Sequence, residues 1–184
     1  MHRQIKKNSI RYITKGEKFM LYPNELYNKI EDINVEELKR KGIKAIILDV
    51  DNTLIDKSKV LSKDKEKWVK DAKEKGMKVC ILSNTLKKEK VETLSKQLAI
   101  PYYMFAKKPL SGGFKKCIKL FKVKPNEICV IGDQIFTDVM GGNFMKMYTI
   151  YVNPISPDDY SITTKIKRPF EKIVINKFLN RKEK

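Results

Sequence analysis

Residue types that many catalytic sites depend on are scarce in this sequence. It has one histidine, His2, close to the start of the chain, and three cysteines. A single histidine excludes catalytic triads built on histidine and metal sites that need several histidines. The cysteines, Cys80, Cys117 and Cys129, have no metal-type pairing, and two of them lie in apolar runs typical of buried strands. We therefore expect reduced thiols in a protein core.

Long hydrophobic runs are also missing. No run approaches the roughly 18 apolar residues that a membrane span requires, and the first residues, MHRQIKKNSI, lack the apolar core of a signal peptide. We therefore expect a cytoplasmic location. No internal repeat or low-complexity linker divides the 184 residues, and this length suits one domain with its own core.

Negative charge is in short supply. The chain has 40 lysines and arginines against 22 aspartates and glutamates, which gives a formal net charge of +18. Such a surface attracts polyanions: nucleic acid, anionic lipid headgroups or phosphorylated substrates. The alternative is a lysine-rich composition inherited from a biased genome, with no binding role for the charge, since lysine, isoleucine and asparagine are all abundant here. The composition leaves both interpretations open.

The stretch IKAIILDVDNTLID, residues 43–56, joins an apolar run to two carboxylates. The run predicts a buried strand over 43–50, and Asp49 and Asp51 stand one residue apart at its end. In an open parallel sheet, ligands bind outside the carboxyl ends of the strands. Strand alternation places both side chains on the same side, where two carboxylates repel each other unless a cation or a proton lies between them. A divalent metal is expected there.

Strand and helix patterns alternate along the rest of the chain. Further strands are predicted at 77–84, 102–106, 127–133 and 147–152, and helices at 35–41, 62–76, 87–99 and 111–121. This alternation predicts an α/β fold, a Rossmann-like three-layer sandwich with a central parallel sheet. Residues 43–152 form its core, residues 1–42 an N-terminal lead-in with short helices packed on the core, and residues 153–184 a C-terminal extension.

Two amphipathic segments flank the predicted core. The first is a short helix within 19–30, and the second is a basic helix that begins at Pro169 and has Phe170, Ile173, Val174 and Phe178 on one side. Either segment could lie in a membrane interface with its apolar residues inward and its lysines toward the headgroups. The alternative is that both simply pack on the domain.

Four short motifs follow the predicted strand ends in order. They read DVDNTL, SNT, KKP and GDQIFTD. As a set they resemble the motifs of the haloacid dehalogenase (HAD) superfamily of aspartate-nucleophile phosphatases, and the resemblance covers residues 43–152. AKKP and GDQIFTDVMGGNFMKMYTIYV are similar to a bacterial family called YqeG-like, a relative of the mitochondrial phosphatidylglycerophosphate phosphatases.

The resemblance implies a role for each motif. Asp49 would attack phosphorus and form an aspartyl-phosphate, and Asp51 would act as general acid and then general base, which favours a phosphatase over an ATPase. Lys108 would neutralise developing charge and hold the nucleophile in place. Mg²⁺ would be held by Asp49, the backbone carbonyl of Asp51, Asp133 and Asp138, and the phosphate by Ser83, the backbone near Asn84, and Thr53.

Some of these assignments have structural alternatives. Thr53 either bonds the phosphate or fixes the turn, and Asp138 either steers the metal and its waters or caps a helix. Lys107 competes with Lys108, although the superfamily lysine directly precedes proline. The glycine pairs at 112–113 and 141–142 fit a phosphate loop, but such pairs more often form turns or close helix contacts.

The predicted core has no room for a cap domain. Superfamily members that bind small soluble phosphates often carry a cap after the first strand or between the second and third motifs. Here 52–61 is a short loop, and 85–106 is filled by one helix and one extended segment. The site should therefore be open, which suits a phosphate displayed on a large carrier such as a membrane, or a site covered by oligomerisation.

The open site and the positive charge together make phosphatidylglycerophosphate the leading candidate substrate. They also predict peripheral contact with the inner face of an anionic membrane. One alternative is a phosphatase that acts on nucleic-acid ends, nucleotides or sugar phosphates. Another is a non-enzymatic scaffold that binds phosphate or RNA, against which the intact acids at Asp49 and Asp51 count.

Overall fold

The computed structural model describes residues 12–13, 20–156 and 162–180. The strands are β1 (Tyr12–Ile13), β2 (Glu25–Tyr27), β3 (Ala45–Leu48), β4 (Lys78–Leu82), β5 (Tyr102–Tyr103), β6 (Ile128–Gly132) and β7 (Tyr148–Val152). The α-helices are α1 (Val35–Arg40), α2 (Lys63–Glu74), α3 (Lys88–Leu98), α4 (Ser111–Phe121), α5 (Met140–Phe144) and α6 (Ile162–Asn180). Two short 3₁₀ turns, Ile30–Asp32 and Pro125–Glu127, and a π-helical turn, Ile135–Val139, complete these elements.

The strands form one sheet in the order β1-β2-β7-β6-β3-β4-β5. The six strands from β2 to β5 in this order are parallel, and only β1 pairs antiparallel, at the edge. Parallel strands need crossover helices, and these helices cover both faces of the sheet. The predicted three-layer α/β fold is confirmed.

The alternation of side chains along the strands builds a core on each face. Ile46 shares one buried cluster with Trp68 of α2 and Leu94 of α3, whereas its neighbour Ile47 shares the other with Phe114 of α4. Both faces of β3 are therefore buried, which is why its sequence is a continuous apolar run. Its carboxyl end emerges between two packed helical layers.

Local signals fix the ends of two helices where the sequence predicts them. The side chain of Asn34 accepts a backbone N–H at 2.9 Å at the start of α1, and the hydroxyl of Ser62 accepts one at 3.3 Å at the start of α2. Gly42 and Gly76 follow the two helices with φ values of 80° and 82°. A side chain at either position would favour another conformation, so glycine ends each helix.

The predicted helix within 19–30 is wrong, because Glu25–Tyr27 forms strand β2 in parallel with β7. Pairing covers an edge of β7 that would otherwise expose unpaired backbone groups. The buried carboxylate of Glu25 is stabilised by hydrogen bonds from the hydroxyls of Tyr27 and Tyr148, both at 2.8 Å, and by Lys41. These are tertiary contacts that local periodicity does not reveal.

The predicted start of the last helix is also wrong, because α6 begins at Ile162 and Pro169 lies inside it. The apolar side is different too. Phe170 and Ile173 are exposed, whereas Arg168 and Glu171 are buried together with Phe178. An interior proline removes one helical hydrogen bond, and the buried contacts of the inner face hold the helix in place.

The remaining fold predictions concern cysteines, the cap and the chain ends. All three cysteines are free and buried, as expected. In the described stretch 20–156, a short loop joins β3 to α2 and α3 alone lies between β4 and β5, so the fold is capless. Within residues 12–13, 20–156 and 162–180, no helix is both long and apolar enough to cross a membrane. His2 and part of the 1–42 lead-in lie outside the described residues, and the three-part division of the chain stays a prediction.

Candidate active site

Three of the predicted site residues follow neighbouring strands directly. Asp49 follows β3, Ser83 follows β4, and Asp133 follows β6, and these strands are adjacent in the sheet. All three residues are buried. Because the strands are parallel, their carboxyl ends lie along one edge, and the motifs meet there as predicted.

Lys108 reaches this edge from the loop after β5. Its Nζ donates to Oδ1 of Asp49 and to Oδ1 of Asp138, each at 2.6 Å. The backbone of Lys108 is held by Asn84, whose Oδ1 accepts the Lys108 N–H at 2.7 Å and whose Nδ2 donates to the Lys108 carbonyl at 3.0 Å. Lys107 is exposed, so the lysine directly before proline contacts the acids. The Asn84 side chain is thus engaged by Lys108, and a phosphate contact from the backbone near Asn84 stays a prediction.

Asp49 has one carboxylate oxygen that stays available. Its Oδ1 accepts from Lys108, whereas its Oδ2 is buried and has no hydrogen-bond partner among the described residues. Burial raises the pKa of Asp49 to about 7, with Lys108 opposing the rise and Asp138 and Asp51 adding to it. A buried oxygen without a partner is costly unless a ligand completes its contacts.

Asp133 is anchored by a residue that the sequence analysis did not single out. Arg168 of α6 donates through Nη1 to the Asp133 carbonyl at 2.6 Å and through Nη2 to its Oδ2. The hydroxyl of Thr53 lies 3.4 Å from the other oxygen, Oδ1. Burial and the neighbouring Asp49 raise the pKa of Asp133, and Arg168 opposes this rise.

Glu171 extends this anchor by one helical turn. Its Oε2 accepts from Arg168 Nη1 at 2.8 Å, and its Oε1 accepts the backbone N–H of Phe136 at 3.2 Å. Phe136 lies in the π-helical turn that follows Asp133. The inner face of α6 therefore fixes both the carboxylate of Asp133 and the backbone beyond it.

Asp138 has both oxygens engaged. Oδ1 accepts from Lys108, and Oδ2 lies 3.3 Å from the backbone nitrogen of Gln134 and 3.3 Å from the hydroxyl of Thr137. Gly132 makes this possible, because a Cβ there would lie 2.4 Å from the Asp138 carboxylate. Asp138 thus caps its own turn and holds Lys108. The cap agrees with one alternative of the sequence analysis, and the other, that Asp138 steers the metal and its waters, stays a prediction.

Six buried groups form what we call the charge cluster: Asp49, Lys108, Asp133, Asp138, Arg168 and Glu171. It holds four carboxylates against two cations. Burial of Lys108 lowers its pKa, but the carboxylates of Asp138 and Asp49 outweigh this and leave the pKa above its usual value. With the carboxylates ionised, the described part of the cluster has two uncompensated negative charges, which a divalent cation would neutralise.

The donors of the charge cluster fit a divalent cation. Carboxylate oxygens of Asp49, Asp133 and Asp138 lie within 4.8 Å of one another, and all three residues are buried. The oxygens left with the fewest protein contacts are Oδ2 of Asp49 and Oδ1 of Asp133. An all-oxygen donor set suits a hard cation such as Mg²⁺ or Mn²⁺.

Asp51 lies outside the charge cluster and faces solvent. Its side chain is 45% exposed and pairs with Lys90 of α3, whose side chain is 10% exposed. The turn after it is made by Asn52, whose φ of 63° suits asparagine better than most residues. Asp51 is therefore accessible from solvent, as a general acid-base group must be.

Sequence reasoning missed Lys90, Arg168 and Glu171. Lys90 and Asp51 are 39 residues apart, and Arg168 and Asp133 are 35 residues apart, so no local pattern links them. One signal was available: the sequence ITTKIKRPFEKIVINKFLN of α6 has one acid, three residues after its one arginine. That spacing places both on one helix face.

A cavity of about 790 Å³ adjoins the site between α6 and the end of β7. It shares Arg168 and Glu171 with the charge cluster, and Tyr151, Pro154 and Ile175 also line it. Asp49 and Asp51 are not among its lining residues in the described structure. The cavity is therefore a neighbour of the acids and does not contain them.

The strand-end motifs, the buried Asp49–Lys108 pair and the exposed Asp51 correspond to the arrangement expected of HAD phosphatases, and comparison with known proteins places the chain in that class of enzyme. A family model described as mitochondrial PGP phosphatase matches residues 7–156. The chain belongs to this family.

Individual relatives agree with this assignment. The chain is 36% identical over 160 residues to "Probable phosphatase YqeG" of Bacillus subtilis (strain 168), which covers 86% of this chain and 91% of that protein. It is 24% identical over 183 residues to "Phosphatidylglycerophosphate phosphatase 1, chloroplastic/mitochondrial" of Arabidopsis thaliana; the match spans 95% of this chain but 52% of the plant protein. A solved structure of an uncharacterized protein from Listeria monocytogenes serotype 4b shares the fold, with a TM-score of 0.54 at 19% identity over 65% of this chain and 82% of that one.

Proposed function

We propose that this phosphatase is an Mg²⁺-dependent phosphomonoester hydrolase that converts phosphatidylglycerophosphate to phosphatidylglycerol through an aspartyl-phosphate. The observation that carries the proposal is the buried, unpartnered Oδ2 of Asp49 in a cluster of four buried carboxyl groups and only two described cations. This arrangement suits a nucleophile that shares its site with a divalent cation.

In the first step Asp49 attacks phosphorus. A bond forms between a carboxylate oxygen of Asp49 and phosphorus, and the bond from phosphorus to the ester oxygen breaks. Asp51 gives its proton to the departing alcohol oxygen, so the alcohol leaves neutral. Lys90 holds Asp51 at the mouth of the site.

In the second step Asp51 takes a proton from water. The water oxygen attacks phosphorus, the bond to Asp49 breaks, and inorganic phosphate leaves. Lys108 stays beside Asp49 throughout and balances charge on the phosphoryl oxygens. Ser83 and the backbone near Asn84 would position those oxygens from the end of β4.

Mg²⁺ would be held by Asp49, Asp133 and the backbone carbonyl of Asp51. When bound, it would neutralise the phosphate and so permit an anionic nucleophile to approach an anionic substrate. Arg168 orients Asp133 for this task without occupying its Oδ1. Asp138 contributes through Lys108 and through the negative charge of the cluster.

Three observations support a lipid substrate. The family description and the name of the plant relative both refer to this phosphomonoester. The fold is capless in its described residues, so a phosphate on a large surface can reach Asp49. The net charge of +18 favours an anionic surface over a neutral one.

The test is phosphate release by the full chain from four substrate classes at equal concentration: vesicles with phosphatidylglycerophosphate, nucleotides, sugar phosphates and nucleic-acid ends. We expect Mg²⁺-dependent release from the vesicles and none after Asp49→Asn. Asp64→Asn, at an exposed aspartate on α2, is the matched control and should behave as the unaltered chain.

Faster release from soluble phosphomonoesters than from vesicles would replace the lipid with the soluble substrate. RNA binding that Asp49→Asn leaves unchanged, with no turnover of any phosphoester, would favour the scaffold function and contradict the proposal. Retained turnover in Asp49→Asn would reject the nucleophile.

A further inference from the structure

Four loops at the carboxyl edge of the sheet surround the candidate nucleophile. We call them the rim: residues 52–61 after β3, 83–87 after β4, 104–110 after β5 and 153–156 after β7. In the sheet, β7 lies to one side of β3, and β4 and β5 lie to the other. The rim therefore flanks Asp49, which follows β3, from both directions.

Each rim loop exposes at least one large apolar side chain. The five are Val60 (69% exposed), Leu86 (73%), Phe105 (53%), Leu110 (63%) and Ile155 (39%). Single exposed apolar residues are normal on protein surfaces, but their recurrence on four separate loops around one opening is not. These side chains do not contribute to the core, which leaves them available to contact another surface.

Hydrogen bonds tie the rim loops together in pairs. The N–H of Ile155 donates to the Asn52 carbonyl at 3.0 Å, which joins 153–156 to 52–61. The Asn84 side chain binds both backbone groups of Lys108, which joins 83–87 to 104–110. The exposed apolar side chains thus belong to loops whose backbones are hydrogen-bonded to one another beside the site.

The charged residues of the rim are almost all basic. Four of its lysines are exposed: Lys57, Lys59, Lys87 and Lys107. Within the described residues of these loops, which end at 156 and so leave out Asp158 and Asp159, the one carboxylate is Asp56, which accepts hydrogen bonds from the hydroxyls of Ser58 and Ser156. Apolar side chains interleaved with lysines suit a surface that is apolar inside and anionic outside, which describes an anionic bilayer.

We propose that the rim is a docking surface for an anionic lipid bilayer. The apolar side chains enter the headgroup region, the lysines contact lipid phosphates, and the opening above Asp49 faces the membrane. This inference deepens the proposed function and rests on it, because docking in this orientation delivers a lipid phosphomonoester to the nucleophile.

The outer face of α6 is the competing surface. It exposes Ile166, Phe170 and Ile173, with lysines on either side. A bilayer that contacted only α6 would not account for the exposed apolar side chains of the four rim loops. The rim also contains the opening of the site, whereas the face of α6 that contacts the charge cluster is its inner one.

The first experiment measures sedimentation of the full chain with vesicles of phosphatidylcholine alone or with about a third phosphatidylglycerol. These lipids carry no phosphomonoester, so binding is separated from turnover. We expect binding to the anionic vesicles and at least about tenfold weaker binding for Leu86→Ser/Phe105→Ser. The matched control is Leu120→Ser/Phe144→Ser, which changes two exposed apolar residues near the opposite edge of the sheet.

The second experiment tests the charge of the rim. Lys59→Glu/Lys87→Glu should weaken binding by at least about fivefold for each lysine, because each change removes a positive charge and adds a negative one, and the loss should be larger at low salt than at high salt. Lys119→Glu/Lys122→Glu, at exposed positions toward the end of α4, has the same change in net charge. Equal losses in both variants would mean that net charge alone attracts the vesicles, and the rim would not be the docking surface.

Several results would overturn the proposal. They are absence of binding to either vesicle, unchanged binding in the rim variants, or loss of binding in Ile166→Ser/Phe170→Ser with the rim variants unaffected. Light scattering that finds a dimer, and a monomer after Leu86→Ser/Phe105→Ser, would assign the rim to a second copy of the chain.

The outcomes keep docking and function apart. Rim-dependent binding to vesicles without hydrolysis of phosphatidylglycerophosphate would retain the docking surface and reject the substrate. Hydrolysis of that lipid in detergent micelles, with no rim-dependent vesicle binding, would retain the substrate and reject the docking surface. Turnover of p-nitrophenyl phosphate should be the same in the rim variants and the unaltered chain.

Discussion

The charge cluster and the rim lie at the same edge of the sheet, but their side chains have opposite surroundings. In the charge cluster, charged groups are buried and paired with one another, whereas in the rim large apolar groups are exposed beside exposed lysines. Buried ion pairs fix the positions of their side chains, and each electrostatic interaction is stronger there than in water because the dielectric constant is low. Exposed apolar groups contribute favourable free energy only when another surface covers them and removes them from water. We therefore propose that the cluster performs the chemistry and that the rim selects the substrate.

This division can be tested because the two regions predict different patterns of loss. A change in the charge cluster should reduce turnover of soluble and lipid phosphomonoesters alike. A change in the rim should reduce only events at a vesicle. Variants in the cluster and at its border with the rim test the first of these patterns.

The largest effect is expected from Gly132→Ala. The new Cβ would lie 2.4 Å from the Asp138 carboxylate, so Asp138 must move and release Lys108. We expect turnover of p-nitrophenyl phosphate to fall at least about a hundredfold, since positioned charges of this kind are worth that much in other enzymes. Gly112→Ala is the control, because nothing lies within 4 Å of its Cβ. Equal activity in the two variants would contradict the packing role of Gly132.

The next effect is expected from Arg168→Met. It leaves the buried carboxylates of Asp133 and Glu171 without their cation, which typically costs about 3–5 kcal/mol of stability. Thermal unfolding should show this loss, and a higher Mg²⁺ concentration should be needed to stabilise the variant. Lys167→Met, at an exposed position of the same helix, is the control.

A double variant separates structure from positioning at α6. Arg168→Met/Glu171→Leu removes one of the two stranded carboxylates and should recover part of the lost stability. Its response to Mg²⁺ should not recover, because Asp133 would still lack its anchor. A full recovery of both would mean that Arg168 serves the fold alone.

Only part of the fold and of the site could be predicted from the sequence. The strands β3 to β7, the helices α1 to α4 and the four motifs were predictable, because side-chain periodicity and the carboxyl ends of parallel strands are local and topological rules. Strand β2 was not, since Glu25 is stabilised by partners from α1's end and β7. Arg168 and Lys90 were not, since each pairs with an acid more than 30 residues away. Motifs recur because chemistry needs them; their supporting contacts depend on how one chain packs.

A moderate effect is expected from Lys90→Met at the border of cluster and rim. Lys90 holds Asp51, which would protonate the leaving oxygen. We expect about a tenfold loss of turnover for an alkyl phosphate, whose leaving group needs a proton. p-Nitrophenyl phosphate has a good leaving group and should lose less. Lys96→Met, exposed on the same helix, is the control, and equal losses for both substrates would exclude this role.

The smallest effect concerns the pH dependence of stability without metal. The pKa of Asp49 is raised to about 7, from an ordinary value near 3.8, mainly by burial. The folded state then favours the protonated carboxyl, so ionisation of Asp49 costs stability progressively as pH rises from about 4 to about 7 and by a constant amount above that. Asp49→Asn imitates the protonated form and escapes this cost.

Thermal unfolding in a chelating buffer should therefore give a higher Tm for Asp49→Asn than for the unaltered chain, by a margin that grows with pH and levels off above about 7. Excess Mg²⁺ should reverse the order, because the unaltered chain keeps every carboxylate ligand and is stabilised more than Asp49→Asn, which lacks one. A margin that does not change with pH would mean that the buried oxygen of Asp49 finds compensation other than a proton or a metal. The same measurement on the rim variants should show no such dependence, because none of their changed residues belongs to the buried cluster.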